Sequence, residues 1–345
     1  MRLSLLLALV LICFYNYAQS DKDSTGIDIE QYYETKNTAL EAYAISLDSN
    51  ILLAFYSECI KTYPETFLDN VMFDDINAIK LAISLKKYSE AADFLVYEMK
   101  TGLRKTVLKY YITNPSMSSF FNTEKAQNAL RDYDIYNNVY KGNLDLDWYT
   151  NMNIIISTDQ FSRNFMDGGV SFITSSSYSG FTFLDDSIKT KVFNTTVQLA
   201  DSLNLNTIIK LTSSNGFFST TKSGGLGFVL AHLFNECDPV YSKSNVNSAT
   251  FLDSVLLAAV HNGEFSNAEY SFWKDNSVSR ACKEPYSIYG SPMNTHKGKA
   301  ILNPIIDIKK IDARRSEIYL PPLWVYARIY GFQLPEGYDK SSQQK

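Results

Sequence analysis

The stretch AIKLAISLKKYSEAADFL, residues 78–95, decides the fold prediction. Apolar residues recur in it every three or four positions, as on one face of an α-helix, and small alanines alternate with larger side chains. A polar run from Lys86 to Glu90 interrupts this spacing and is typical of a turn. The stretch therefore predicts two helices that pack against each other as an antiparallel hairpin.

Helical spacing extends outward from this stretch, from about Ile27 to Leu103, with a weaker hairpin between Thr38 and Tyr63. The stronger hairpin resembles the tetratricopeptide type, in which alanines let paired helices approach closely. The period of 34 residues that defines that family is not visible. The resemblance implies a helical-repeat-like module, and an ordinary helical bundle fits the same pattern.

The rest of the chain also has mainly helical periodicity. Predicted helices are Thr123–Tyr140, Asp145–Met166, Ser187–Leu205, Leu226–Glu236, Ala249–His261, Ser266–Ala281 and Pro322–Tyr330. Ser266 followed by Glu269 has the spacing of a capping box. Ser171–Gly180 and Pro285–Pro304 are predicted loops. The predicted fold class is mainly α, with N-terminal antiparallel helical hairpins followed by an α-helical C-terminal domain with long loops.

The N-terminus has the features of a secretory signal peptide. Arg2 precedes an apolar run from Leu3 to Phe14, and Ala18 supplies a small residue at the expected cleavage site. The run is too short to cross a bilayer, which takes about 20 residues, and the residue before Cys13 is not the small one that a lipid anchor requires. We expect an exported chain, periplasmic or secreted, that begins at Gln19 and has no stable membrane span.

The length of 345 residues is more typical of two domains than of one. A turn at Lys141-Gly142-Asn143 marks the predicted boundary. The sequence thus predicts a signal peptide at 1–18, a helical-repeat-like domain at 19–143, a C-terminal helical domain at 144–337 and a disordered tail at 338–345.

Charge and cysteine content exclude several classes of protein. The chain has 32 Lys and Arg against 37 Asp and Glu, a net charge of −5, and it has no basic stripe. Nucleic acid is therefore not expected as a partner. Cys59, Cys237 and Cys282 follow the signal without a C-x-x-C pair, so a zinc ribbon or a thioredoxin-like site is not predicted. An oxidising compartment permits a Cys237–Cys282 disulfide, and free buried thiols fit equally well.

A recurring order of motifs covers roughly residues 149–335. The order is Asp159-Gln160-x-x-Arg163, Gly227 with His232, Gly263-Glu264, Asp275, Tyr289-Gly290, Pro304-Ile305-x-Asp307, Asp312-x-Arg314-Arg315, Leu320-Pro321-Pro322-Leu323 and Gly331-x-x-Leu334-Pro335. In this order the motifs resemble a bacterial family of domains of unknown function. The resemblance implies that polar residues from several separate segments belong together, and it implies no particular activity.

This chain departs from the family pattern at three positions. The family tends to have glutamine just before the histidine and on both sides of the Tyr-Gly pair, where this chain has Ala231, Ser287 and Pro292. If those glutamines serve a catalytic site, the site is altered here. The Asp, His and Arg positions of the pattern are present.

Three residues form the predicted catalytic set. His232 is the strongest candidate for an acid or base, because it lies within an apolar helix where a nearby carboxylate can tune its proton affinity. Asp159 and Asp275 are the carboxylates of the set. The alternative is a buried structural imidazole that is hydrogen-bonded to one of these carboxylates. His232 and Glu236 lack the second histidine of an H-E-x-x-H zinc site, so a catalytic zinc is not expected. Clustered carboxylates leave calcium open, although no acidic loop has the alternation of a calcium site. No metal and no cofactor is predicted.

A further set of residues is predicted to bind a ligand: Gln160, Arg163, Tyr289, Gly290, Arg314 and Arg315. Asp159 and Arg163 are four residues apart on one helix and can pair, an arrangement that is more often a structural clamp. Arg314 and Arg315 present two guanidinium groups that suit a carboxylate or phosphate. One of them could equally be buried against Asp312 or Asp275.

Two functions fit these observations. The first is a non-catalytic interaction or scaffold protein that binds another protein through its N-terminal helices. The second is an extracytoplasmic hydrolase or transferase with a polar pocket around His232, Asp159 and Arg314. The geometry of the polar residues should discriminate between them, because an enzyme needs a solvent-reachable cleft and a structural network does not.

Overall fold

The computed structural model describes residues 29–62, 78–166, 186–215, 253–281, 286–291, 294–296 and 299–339, and within them the chain is mainly α-helical, as predicted. The helices are α1 (Ile29–Ser46), α2 (Ser49–Thr62), α3 (Ala78–Ser84), α4 (Tyr88–Thr101), α5 (Lys105–Thr113), α6 (Ser118–Phe121), α7 (Glu124–Arg131), α8 (Tyr133–Asn143), α9 (Leu146–Met166), α10 (Asp186–Asn215), α11 (253–261), α12 (Asn267–Ala281), α13 (Ile311–Glu317) and α14 (Leu323–Tyr330).

The stretch that decides the fold prediction forms α3, a short turn and α4. Ala78, Ala82 and Ala91 are completely buried where the two helices pack together. The turn reverses the chain through Lys86, which has a φ of 59°, and the backbone N–H of Lys87 donates to the carbonyl of Ala82 at 2.8 Å. Small side chains at the contact let the helices approach closely, which is the role the sequence predicts for them.

Aromatic and aliphatic side chains fill the core of the N-terminal half. The buried side chains of α1, α2, α4 and the 118–121 segment include those of Tyr32, Tyr33, Leu52, Phe94 and Phe120. Cys59 of α2 is buried in the same core as a free thiol. Burial of this much apolar surface is the main source of stability for helices of such moderate length.

The helix predicted at Thr123–Tyr140 is two helices. Thr123 caps α7, and its hydroxyl accepts a hydrogen bond from the N–H of Ala126 at 3.3 Å. The chain then bends at Asp132, and α8 begins at Tyr133. The bend turns Tyr133 into the core, where its hydroxyl donates to the carbonyl of Leu103 at 2.7 Å. A tertiary contact therefore overrides a continuous helical pattern.

The longest helices, α9 and α10, pack side by side in the C-terminal half. Trp148 and Ile155 of α9 and Ile208 of α10 are buried in a second core, to which α11 and α12 also contribute. The amide of Asn204 donates to the carbonyl of Ile155 at 3.3 Å across the pair. Helix α9 agrees with its predicted bounds, while α10 continues beyond the predicted end at Leu205, because Ile208 extends the buried face.

The segment predicted as a loop from Pro285 to Pro304 contains two short strands, so that prediction is wrong in part. Strands β1 (Asn294–His296) and β2 (Lys299–Ile301) pair antiparallel, with Thr295 opposite Ala300. His296 therefore lies in a strand. The predicted loop at 171–180 and the predicted helix at 226–236 lie outside the described residues, as do Cys237 and Cys282.

A junction around Tyr319 joins the N-terminal helices to the C-terminal segment. The carbonyl of Tyr319 accepts hydrogen bonds from the amides of Asn37 on α1, at 3.0 Å, and Asn267 on α12, at 2.9 Å. Its ring stacks on Tyr33, with 4.9 Å between the ring centroids. Its backbone has a φ of 58°, which side-chain-bearing residues seldom adopt. Helix α14 packs on α1 beside this junction.

None of the helices in the described part of the chain is both long and apolar enough to span a membrane.

Candidate functional site

The loop at 286–291 lies against α12, whose first turn is fixed by a cap. Ser266 accepts a hydrogen bond at its hydroxyl from the N–H of Glu269 at 3.3 Å, which is the hydroxyl half of the predicted capping box. The carboxylate of Glu269 accepts from the indole N–H of Trp273 at 3.0 Å. Two turns further along α12, Asp275 meets the loop.

The buried carboxylate of Asp275 accepts hydrogen bonds from four donors of the loop. Oδ1 accepts from the N–H groups of Ile288, at 2.6 Å, and Tyr289, at 3.0 Å. Oδ2 accepts from the hydroxyl of Ser287, at 2.6 Å, and the N–H of Ser291, at 2.8 Å. An ionised carboxylate offers about four lone-pair sites. These four donors therefore use the whole accepting capacity of Asp275.

Gly290 and Ser287 shape the loop around this carboxylate. Gly290 has a φ of 70°, and its N–H donates to the Ser287 hydroxyl at 2.8 Å. A Cβ at position 290 would lie 2.9 Å from a methyl carbon of Leu323 and 3.1 Å from one of Ile305. Both the backbone conformation and the close packing thus require glycine here.

Two arginines of α13 hold the opposite, carbonyl side of the loop. Arg314 donates from Nε to the carbonyl of Ile288 at 3.0 Å and from its terminal nitrogens to the carbonyls of Ile306 and Asp307. Arg315 is completely buried and donates to the carbonyls of Tyr289, at 2.6 Å, and Pro321, at 2.7 Å. The carboxylate of Asp275 thus binds the N–H groups of the loop while the two guanidinium groups bind its carbonyls.

The buried charge of Arg315 is balanced by its surroundings. Burial lowers the pKa of the guanidinium, while the nearby Tyr326, Asp312 and Asp275 oppose this shift. The guanidinium also lies over the Tyr326 ring, 4.3 Å from its centroid. Its Nη2 has no hydrogen-bond partner among the described residues. The arrangement allows Arg315 to remain charged inside the fold.

The structure brings five of the predicted site residues into this one network, which we call the loop clamp: Asp275, Tyr289, Gly290, Arg314 and Arg315. Asp159 and Gln160 lie on α9. Asp159 is completely buried, and its carboxylate accepts from the Gln160 amide at 2.9 Å. The side chain of Arg163 and all of His232 lie outside the described residues.

A second polar cluster on α12 was not predicted. Asp253 of α11 accepts a hydrogen bond from the hydroxyl of Tyr270 at 2.9 Å and pairs with the ammonium of Lys274, also at 2.9 Å. The Tyr270 hydroxyl is also hydrogen-bonded to that of Tyr289, and burial raises the pKa of both phenols. The i, i+4 spacing of Tyr270 and Lys274 is visible in the sequence, but nothing in the pattern points to Asp253.

Burial also raises the pKa of Glu269, to about 7, against a smaller opposing effect of the hydrogen bond from Trp273. In the N-terminal core, desolvation raises the pKa of the Cys59 thiol well above its ordinary value. Among the described residues there is no cluster of three or more His, Cys, Asp or Glu side chains that could hold a metal ion.

Comparison with known proteins gives no match: no family model, no curated protein and no solved structure is similar to this chain.

Proposed function

We propose that this chain is an exported, non-catalytic protein-interaction module whose loop clamp is part of a rigid body. The observation that carries this proposal is that hydrogen bonds from the protein itself occupy all the acceptor sites of the Asp275 carboxylate. A catalytic carboxylate needs a lone pair that faces a substrate, whereas the four acceptor sites of Asp275 face main-chain and hydroxyl donors of its own loop. From the other side, Arg315 donates through Nε and Nη1 to main-chain carbonyls.

The N-terminal helices offer apolar residues to a protein partner. On α5, Tyr110 is 61% exposed, and on α8, Ile135 is 66% exposed. The first turns of the two helices are linked by an ion pair between Lys105 of α5 and Asp134 of α8, at 2.9 Å. Exposed tyrosine and aliphatic side chains are typical anchors of protein interfaces. We therefore assign the partner surface to the exposed side chains of α5 and α8. Export rests on the leader sequence at residues 1–18.

Site-specific photo-crosslinking in the source cells tests this proposal. A photoreactive amino acid at position 110 should give discrete adducts with one partner, and the variant Ile135→Asp should reduce their yield at least tenfold. The matched control places the same photoreactive amino acid at Leu334, which is exposed. Met117 would not serve as a control position, because it is buried. Equal adducts from both positions would contradict a specific partner surface.

One specific observation favours the alternative function, an extracytoplasmic enzyme. Two buried carboxylates, Asp159 of α9 and Asp201 of α10, lie on adjacent packed helices. Buried carboxylates persist in a fold either because a structural network uses them or because function does. Thermal unfolding of Asp159→Asn discriminates between these roles. A melting temperature several degrees above that of the parent would favour a functional acid held at the expense of stability, and a lower one would favour the structural role.

A further inference from the structure

The segment from α5 to α8 has a charge opposite to that of the rest of the chain. Residues 102–143 hold six Lys and Arg against three Asp and Glu, a local charge of +3, while the remaining residues hold 26 against 34, a charge of −8. The six basic residues are all exposed: Arg104, Lys105, Lys109, Lys125, Arg131 and Lys141. A local excess of exposed positive charge on an acidic protein attracts negatively charged partners to that part of the surface.

Helix α5 has two of these basic residues beside an exposed aromatic ring. Leu108 and Tyr111 form its buried side. Lys105 and Lys109 are one turn apart on the exposed side, where Tyr110 is 61% exposed. The helix contains no acidic residue. The exposed side of α5 therefore combines positive charge with a tyrosine, a residue type that often anchors protein interfaces.

This placement of positive charge does not stabilise the helix. Like charges four residues apart repel each other, and cations at a helix N-terminus interact unfavourably with the helix dipole. Arg104 is the N-cap residue of α5, and Lys105 is its first residue. Asp134 pairs with Lys105 at 2.9 Å, whereas the ion pairs between described residues do not include Lys109. Residues that are unfavourable for local stability are typical of functional surfaces.

We propose that α5 binds an acidic segment of the protein partner, rich in Asp and Glu, whose carboxylates pair with Lys109 beside Tyr110. This inference rests on the proposed function and names the class of partner. A helix that lies on a membrane needs a broad apolar face. On the exposed side of α5, Thr106 and Thr113 lie with the two lysines. The polarity of this side thus favours an acidic protein over a lipid surface.

Fluorescence anisotropy of a labelled decaglutamate peptide, titrated with the purified protein at low salt, tests the proposal. We expect binding although both molecules are negative overall, because the contact is with a positive region. The binding should be lost at about 1 M salt, where charges are screened beyond about 3 Å. A labelled glycine-serine peptide of equal length should not bind.

Lys109→Glu should weaken the binding of decaglutamate at least about fivefold, because it replaces an attraction by a repulsion. The matched control Lys210→Glu makes the same change of charge at an exposed position of α10 and should have less than about a twofold effect. Both variants alter exposed side chains and should melt like the parent.

Three results would overturn the proposal. The first is a parent protein that does not bind decaglutamate. The second is equal binding by the two variants, which would reflect the overall charge and not α5. The third is binding of the parent, dependent on Lys109, to phosphatidylglycerol vesicles but not to decaglutamate, which would identify a membrane as the occupant of this surface.

Photo-crosslinking at position 110 separates this inference from the proposed function. A lower yield of partner adducts in Lys109→Glu than in Lys210→Glu would support both. An unchanged yield in Lys109→Glu would keep the partner surface and overturn the acidic partner. Absence of adducts from every variant would contradict the proposed function, while the decaglutamate titration would still test the charge of α5.

Discussion

At the scale of single residues, the loop clamp depends on Asp275, which accepts four hydrogen bonds. In Asp275→Asn an NH₂ group replaces one accepting oxygen and faces hydrogen-bond donors, so at least one buried donor loses its partner. We expect the free energy of unfolding to fall by about 3 kcal/mol. Urea unfolding followed by circular dichroism measures this change.

The exposed carboxylate of Asp147 provides the control for that measurement. Asp147→Asn should change the unfolding free energy by less than about 0.5 kcal/mol. An Asp275→Asn protein as stable as the parent would mean that the carboxylate of Asp275 is held for a purpose other than anchoring the loop.

Glu269 gives the protein a stability that depends on pH. Its folded-state pKa of about 7 is above the ordinary value of 4.5. The folded state therefore binds the proton more tightly, and this stabilisation, present below pH 4.5, is lost as the pH rises through 7. Glu269→Gln removes the titration and keeps an oxygen acceptor for Trp273. It should raise the unfolding free energy by about 3 kcal/mol at pH 8 and change it little at pH 4.5.

Thermal or urea unfolding of parent and variant at a series of pH values checks this prediction. Glu317→Gln, which changes an exposed carboxylate, is the control and should leave the pH profile unaltered. A Glu269→Gln protein that is less stable than the parent at pH 8 would show that the charged carboxylate is favoured in the folded state.

Residue types and motif order could predict part of the site. The order of Asp275, Tyr289-Gly290 and Arg314-Arg315 along the sequence indicated residues that do meet in the structure. The structural role of these residues could not be predicted, because the sequence does not show that their side chains bind main-chain groups. Hydrogen bonds to the backbone depend on loop conformation, and no residue pattern records them.

At the scale of helices, α14 depends on a cap from another helix. Asp312 of α13 accepts from the N–H of Leu323, the first residue of α14, and from the hydroxyl of Tyr338, both at 2.7 Å. A carboxylate at a helix N-terminus also interacts favourably with the helix dipole. Asp312→Ala should therefore lower the free energy of unfolding by about 2 kcal/mol.

Tyr338→Phe removes one of the two bonds of Asp312 and should have about half that effect, while Glu317→Ala on the same helix α13 should have almost none. Denaturant midpoints of the three variants provide the comparison. If Asp312→Ala and Glu317→Ala were equally stable, the cap would contribute nothing to α14.

Helical periodicity predicts elements well where one face is buried, and their bounds less well. It identified α3, α4, α9 and α12 closely. It missed the break at Asp132 and the β1–β2 hairpin, because a bend into a core and a pairing of two three-residue strands are decided by tertiary contacts. Helical periodicity did not predict the cap of α14 either, because the acceptor, Asp312, lies eleven residues before the donor, Leu323.

At the scale of the whole molecule, the Tyr319 junction couples the N-terminal helices to the C-terminal segment. The two parts should therefore unfold together. Tryptophan fluorescence reports on α9, α12 and α14, where Trp148, Trp273 and Trp324 lie, and circular dichroism reports on all helices. We expect the two signals to give coincident urea transitions in the parent protein.

Tyr319→Ala removes the ring that stacks on Tyr33 and should lower the transition midpoint and separate the two signals. Tyr149→Ala, at a partly exposed position, is the control and should preserve coincidence. Separate transitions in the parent would show that the N-terminal helices and the C-terminal segment unfold independently, as the predicted boundary near residue 143 implies.

The rate at which the buried thiol of Cys59 is alkylated would report on the opening of the N-terminal core. Its burial in the α1–α2 core raises its pKa, and the thiolate is the form that reacts with alkylating reagents. Iodoacetamide can therefore modify Cys59 only during the moments when that core opens. Mass spectrometry of the peptide that contains Cys59 would then measure how often the core around Cys59 opens.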